Sequence, residues 1–245
     1  MKALVYTGLK TLEYRDVPNP DLKDDENLIS IRSVGICGSD MHAFLGHDDR
    51  RPAPLILGHE AAGDVIEGPL KGTRVTINPL VTCQKCKECK SNRSNLCGKR
   101  QIISMQPREG AFAEMVAMPS RNLIVVPDNI SFNDAALTEP LAVCWHAVRL
   151  GINALDTEIQ TANTLVIGGG AIGLGSALSL MAKGVKKNMS KTGKRRVIKL
   201  NGNIMYVTKK MNITLAISPK RLILKFIAEI IGNVTSIDNS PIKNN

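Results

Sequence analysis

Cys83-Gln84-Lys85-Cys86-Lys87-Glu88-Cys89-Lys90-Ser91-Asn92-Arg93-Ser94-Asn95-Leu96-Cys97 spaces its thiols as C-x2-C-x2-C-x7-C. Four soft ligands at this spacing match a closed tetrahedral zinc site with no open position. The residues between them are almost all polar, so a metal would replace a core in this lobe. Its role is to hold structure, and chemistry is expected elsewhere in the chain. A disulfide within 83–97 is the alternative reading of the same cysteines.

The 245-residue chain is 43% hydrophobic and 22% charged, which suits one or two soluble globular domains. Met1-Lys2 runs straight into a strand-like Ala3-Leu4-Val5-Tyr6, so no secretory leader is expected. No apolar run reaches bilayer length, and no membrane partner is expected. Six cysteines in such a chain favour metal over disulfides and predict a reducing, cytoplasmic setting.

The net charge of +10 is unevenly distributed: residues 1–182 hold 18 basic and 20 acidic side chains, residues 183–245 hold 14 and 2. Such a tail suits nucleic acid or an anionic surface, which is one rival function. Against it, the whole chain is 3% aromatic, and the tail offers only Tyr206 and Phe226 for stacking on bases.

Residues 1–127 read as β-rich. Short apolar runs at Leu28–Val34, Asp64–Ile66, Val75–Ile77, Met115–Met118 and Leu123–Val126 are punctuated by Gly, Pro and Asn. Many short strands with turn signals predict a barrel or sandwich. Ser131-Phe132-Asn133-Asp134 reads as a helix cap leading into a helix through Leu150. In that helix Cys144 reads as a buried thiol, and Trp145 and His146 as helix packing. Thr164–Ile167 reads as a strand, followed by a glycine turn and an apolar helix at Leu174–Ala182, the opening of a βαβ unit. After Lys187 the pattern fades, apart from a helix predicted at Pro219–Ile231.

Three motifs carry the chemistry. They are Cys37-Gly38-Ser39-Asp40-Met41-His42, then Gly58-His59-Glu60-Ala61-Ala62-Gly63-Asp64-Val65, then Glu139-Pro140-Leu141. Cys37, His59 and a carboxylate supply S, N and O donors, the set of a zinc site that keeps an exchangeable position. A lone cysteine or histidine would be read as packing or as a satisfied hydrogen-bonder; three such motifs flanking a four-cysteine lobe are not. Gly168-Gly169-Gly170-Ala171-Ile172-Gly173 contains G-x-G-x-x-G between a predicted strand and a helix. In that context Gly168 allows the tight turn, Gly170 the approach of a pyrophosphate and Gly173 close helix packing. The helix N-terminus favours the anion.

In this order, the motifs resemble the zinc-containing medium-chain alcohol and polyol dehydrogenases over about residues 1–187. The resemblance implies a GroES-like β-barrel catalytic domain over 1–145, with the structural zinc lobe at 83–97. It implies the start of a Rossmann dinucleotide-binding domain, a doubly wound parallel sheet, over 146–187. Residues 188–245 form a divergent basic tail. Two zinc ions per chain are implied. One is held by Cys83, Cys86, Cys89 and Cys97, the other by Cys37, His59 and Glu139 with Glu60 neighbouring or interchanging.

The implied activity is hydride transfer between a small secondary alcohol or polyol and NAD or NADP. Glutamate at 139 resembles the sorbitol and threonine dehydrogenase branches. Zinc polarises the hydroxyl, Ser39 passes its proton on and His42 carries it to solvent. Asp40 is implied to orient the His59 ring. A zinc-free quinone reductase of the same superfamily is disfavoured by Cys37, His59 and the four cysteines. A homo-oligomer is compatible with the family, but the segments that form its subunit contacts are not recognisable here.

The resemblance breaks at one point. The dinucleotide fingerprint needs a carboxylate some twenty residues on, for the ribose hydroxyls. Asn188-Met189-Ser190-Lys191-Thr192-Gly193-Lys194-Arg195-Arg196 has none. An arginine there would suit NADP, so the choice between NAD and NADP stays open. The simultaneous change in composition, charge and motif order predicts a truncation or an altered reading frame near Lys186-Lys187. It also predicts a weakened cofactor site, which makes a non-catalytic zinc-binding remnant the second rival.

Overall fold

The structure, a computed structural model, describes residues 1–155, 158, 164, 166, 169–185, 187–192, 195–200 and 203–207. The chain divides into two units, Met1–His146 and Ala147–Asn245.

The first unit opens with β1 (Lys2–Gly8), β2 (Thr11–Asp16) and β3 (Glu26–Gly35). There follow a short helix α1 (Gly38–Phe44), β4 (Leu55–Ile56), β5 (Glu60–Glu67), β6 (Arg74–Ile77) and β7 (Leu80–Val81). The lobe with α2 (Lys87–Lys90) leads to β8 (Gln101–Ile102), β9 (Met115–Pro119), β10 (Leu123–Val125) and α3 (Phe132–Ala136). Each apolar run read from the sequence falls in a strand, except that Val126 lies just beyond β10.

Five strands form an antiparallel sheet in the order β10-β6-β5-β3-β9. The two-residue period of a strand sorts its side chains between faces. In β5, Ala61 and Val65 join Ile29, Val75, Ile77, Ile103 and Met118 in the main core. Ala62 packs instead with Val126, Phe132, Ala135 and Ala136 beneath α3. Fully burying each Ile or Val side chain contributes about 1.5–3 kcal/mol. Ser131 caps α3 as expected, its hydroxyl accepting from the Asp134 amide at 3.1 Å.

A second sheet, β2-β1-β4, seats the first helix. Tyr6, Leu55 and Leu57 bury Ala43, which fixes the inner face of α1 and so the direction of its N-terminus. Leu57 and Gly58 are tied to the 110–112 segment by Phe112 N–H to Leu57 O at 2.9 Å and Ala111 N–H to Gly58 O at 2.8 Å. His59 follows directly from that anchored backbone.

A longer helix, α4 (Thr138–Asn153), starts in the first unit. Cys144 is buried, as read from the sequence, while Trp145 and His146 are exposed. Leu141, Cys144 and Val148 set the inner face by their three- and four-residue spacing. Trp145 and His146 are turned about 100° and 200° from Cys144.

In the second unit, α5 (Ala171–Ala182) contains the expected apolar helix and begins three residues earlier. Residues beyond it form β11 (Lys187–Thr192), β12 (Arg195–Leu200) and β13 (Asn203–Val207), an antiparallel meander in that order. No strand pattern was read there from the sequence. Of the strand expected at Thr164–Ile167, Leu165 and Ile167 lie outside the described residues, as does the helix expected at Pro219–Ile231. Among the described residues, no helix is long and apolar enough to cross a membrane.

Candidate functional site

Two groups of candidate metal ligands occur among the described residues. In the lobe, one sulfur from each of Cys83, Cys86, Cys89 and Cys97 lies within 4.8 Å of every other. All six cysteines of the chain are free, and the Cys83 and Cys89 sulfurs stand 4.0 Å apart, far from disulfide bonding distance. Cys97 alone is buried; the rest of the lobe offers no core of its own.

The local fold aims backbone donors at sulfur. The Cys86 amide donates to Cys83 Sγ at 3.4 Å. Hydrogen bonds from the Lys85 and Cys86 amides lower the Cys83 pKa to about 6. At Cys86 the Cys89 amide pulls the pKa down. Desolvation and the bonds it shares with Cys89, Cys83 and Cys97 outweigh this and push it up to about 12. Four thiols this close share their protons, because four adjacent negative charges repel. A divalent cation removes that conflict, so the donor set fits a structural zinc ion.

The second group joins two distant parts of the chain. Ligand atoms of Cys37, His59 and Glu60 lie within 4.8 Å of one another. Cys37 is the residue preceding α1; His59 immediately precedes β5 and Glu60 opens it. The β3–β5 register places Gly35 opposite Glu60. A Cβ at position 35 would collide with Glu60 Oε2, so the glycine makes room for that carboxylate beside Cys37.

Asp40 locks the two segments together. It is 2% exposed. Its Oδ2 accepts from the Cys37 amide at 3.0 Å and its Oδ1 from the Gly58 amide at 3.1 Å. The same Oδ1 lies 3.4 Å from His59 Nδ1, the orienting role expected of Asp40. Ser104 Oγ approaches that nitrogen from elsewhere in the fold, at 3.3 Å.

Burial pushes the His59 pKa down, but hydrogen bonds and charge from Asp40 and Cys37 outweigh it and raise it to about 10. Burial raises Glu60 and Glu139 and the charge of His59 pulls both back; the charge of Asp40 pushes both further up, that of Glu139 also raises Glu60, and a hydrogen bond with Cys37 lowers Glu60. A buried imidazole beside a thiol and several carboxyl groups gathers donors that suit a divalent ion. These S, N and O donors fit zinc.

Glu139 is not within the close group. It is half-buried in the first turn of α4, near enough to feel the charges of His59 and Asp40. Ser39 is half-buried and His42 exposed, three residues apart on α1. The His42 ring centroid lies 6.1 Å from that of exposed His47. Of the expected cofactor glycines, Gly170 caps α5 and Gly173 lies in its first turn, while Gly168 falls outside the described residues. That first turn carries no acidic side chain, which suits an anionic group.

Sequence reasoning missed Gly35, Ser104 and the buried Arg51. Gly35 could have been found only through strand register, and the other two had no local signal.

Comparisons with known proteins bear on the fold and the family. Residues 23–128 match the alcohol dehydrogenase GroES-like domain. The chain is 36% identical over 194 residues to the sorbitol dehydrogenase of Bacillus subtilis, covering 75% of this chain and 53% of that protein. It is 38% identical over 188 residues to the L-galactonate-5-dehydrogenase of Escherichia coli, covering 74% and 53%. A crystal structure described as a proposed zinc-binding dehydrogenase from Sinorhizobium meliloti bound to NADP superposes with a TM-score of 0.66 at 32% identity, covering 75% and 53%. The chain thus spans about half the length of the curated relatives it matches. The expected fold class, a GroES-like β-barrel domain joined to a partial Rossmann domain, agrees with these matches.

Proposed function

Because this chain belongs to the zinc-containing medium-chain alcohol and polyol dehydrogenases, we propose that it takes part in hydride transfer between a small secondary alcohol or polyol and NAD or NADP. The observation that carries this reading is the convergence of Cys37, His59 and Glu60, beside a separate four-thiol lobe. Cys83, Cys86, Cys89 and Cys97 would hold a structural zinc ion. Cys37, His59 and Glu60 would hold a second, with Glu139 as the carboxylate that joins or exchanges with Glu60. Gly168, Gly170 and Gly173 would meet the pyrophosphate of the dinucleotide. A cytoplasmic setting goes with reduced thiols at both sites.

When bound, the second zinc would serve as a Lewis acid toward the substrate oxygen and the nicotinamide as the hydride partner. The chain's own residues prepare this. Asp40 and Ser104 lie against Nδ1 of His59, which would leave Nε2 for the ion. Asp40 also pins the Cys37 amide, so that sulfur and ring approach from fixed directions. Ser39 would accept the substrate proton, and His42, on the same helix and open to solvent, would release it. The polar Glu60 and Glu139 suit a hydroxylated substrate better than an apolar one.

Metal analysis of the purified chain, with NADH and NADPH titrations and a panel of polyols, tests the reading. Two zinc ions per chain, dinucleotide binding and turnover of a polyol are expected. Two ions without dinucleotide binding or turnover would make it a zinc-binding protein without catalysis. Retention on an anionic matrix that depends on residues 188–245 would favour surface binding instead.

A further inference from the structure

Ser104 is 0% exposed and sits at φ 65°, in the left-handed region that residues other than glycine rarely occupy. Such a conformation persists only where its surroundings over-determine it. Next to it, Ile103 is wholly buried in the main core. The Ser104 carbonyl accepts a 2.9 Å bond from Arg51 Nε. Arg51 is itself buried, with 5% of its side chain exposed, and it is ion-paired with Asp48, 7% exposed. A guanidinium this deep needs both a carboxylate and further acceptors. Here the second acceptor is the backbone of the residue whose hydroxyl lies 3.3 Å from His59 Nδ1.

We propose that Ser104, held in place by Arg51 and Asp48, is a positioning residue that fixes the His59 ring for metal binding. The inference rests on the proposed metal role of His59. An imidazole coordinates through one nitrogen, and the hydrogen bond at the other sets its tautomer and ring angle. Asp40 Oδ1 alone is long for that bond, at 3.4 Å, and already accepts from Gly58. Ser104 Oγ gives Nδ1–H a second acceptor, so groups from two separate segments of the chain hold the ring. Arg51 touches neither ring nor ligand; it acts through the Ser104 backbone.

Cobalt(II) titration of the full chain tests this, because its bands separate a four-sulfur site from a mixed S/N/O site. Ser104→Ala and Ser104→Gly are both expected to weaken cobalt binding at the Cys37/His59 site about 10–100-fold and to change its band shape, with the four-cysteine bands intact as the gauge of folding. Glycine relaxes the left-handed backbone, so wild-type affinity in Ser104→Gly would show that the hydroxyl does nothing and overturn the proposal. Arg51→Lys should weaken the same site severalfold alone and add nothing in the Ser104→Gly background; an additive effect would overturn its action through Ser104. Wild-type uptake at both sites with unchanged variants defeats this inference alone. Uptake at the four-cysteine site only defeats it together with the proposed function.

Discussion

The four-cysteine lobe and the Cys37/His59/Glu60 group hold equally close ligands by opposite means. The lobe draws all its donors from 15 consecutive positions, 83–97, and has almost no buried residue to hold them. The other group takes its donors from separate elements, set on a packed sheet and pinned by the buried Asp40. A ligand set close in sequence has little packing around it, so a bound ion would supply most of its rigidity. A set assembled by tertiary structure draws its rigidity from the packed elements that carry it.

The largest effect should come from the lobe. Structural zinc contributes on the order of 10–16 kcal/mol in small metal-built modules. Cys97→Ser should therefore abolish zinc at this site and open Lys85, Lys87, Lys90 and Arg93 to trypsin, with the core sheet still folded by circular dichroism. Resistance to trypsin in this variant would mean that the lobe stands without metal.

Asp40→Ala comes next. It strips acceptors from the Cys37 and Gly58 amides and from His59, and should cost about 2–4 kcal/mol in urea unfolding. Metal should be lost from the second group and kept in the lobe. Equal losses from both sites would erase the contrast between them.

Gly35→Ala should cost about 1–3 kcal/mol, because the methyl group displaces Glu60 or the β3–β5 backbone. Zinc affinity at the second group should fall in competition with a chromogenic chelator. Unchanged affinity would show that Glu60 is not needed there.

The smallest effect concerns acid stability. The hydrogen bond from Arg50, stronger than the opposing effect of burial, helps hold the Asp48 pKa down to about 2, with Arg51 adding to it. A depressed carboxylate stabilises the fold above its unfolded pKa, and that contribution is lost as pH falls from about 4 through about 2. Asp48→Asn should flatten this limb of the acid-unfolding curve by about 1 kcal/mol. The amount is modest because Arg50 is solvent-exposed and screened.

Cys83 to Cys97 announce a metal by spacing alone, because the ligands are neighbours along the chain. The β-rich half was legible through the short apolar runs from Leu28–Val34 onward and the turn residues between them, and Ser131 through its capping pattern. The strands β11, β12 and β13 were not legible, since this lysine- and asparagine-rich stretch of sequence offers no clear apolar alternation. The exposure of Trp145 and His146 was not legible, because composition reports hydrophobicity but not which side of a helix faces the core.

The chain's own order of residues determined the donor types, the four-thiol spacing and the glycine turn before α5, since each depends on neighbours within a few positions. Only the tertiary structure decided that Gly35 vacates space for Glu60, that Asp40 joins Cys37 to His59, and that Ser104 meets that ring from 45 residues away. Those relations depend on strand register and on packing between distant segments. A distance in space between such segments leaves no mark on the spacing of letters.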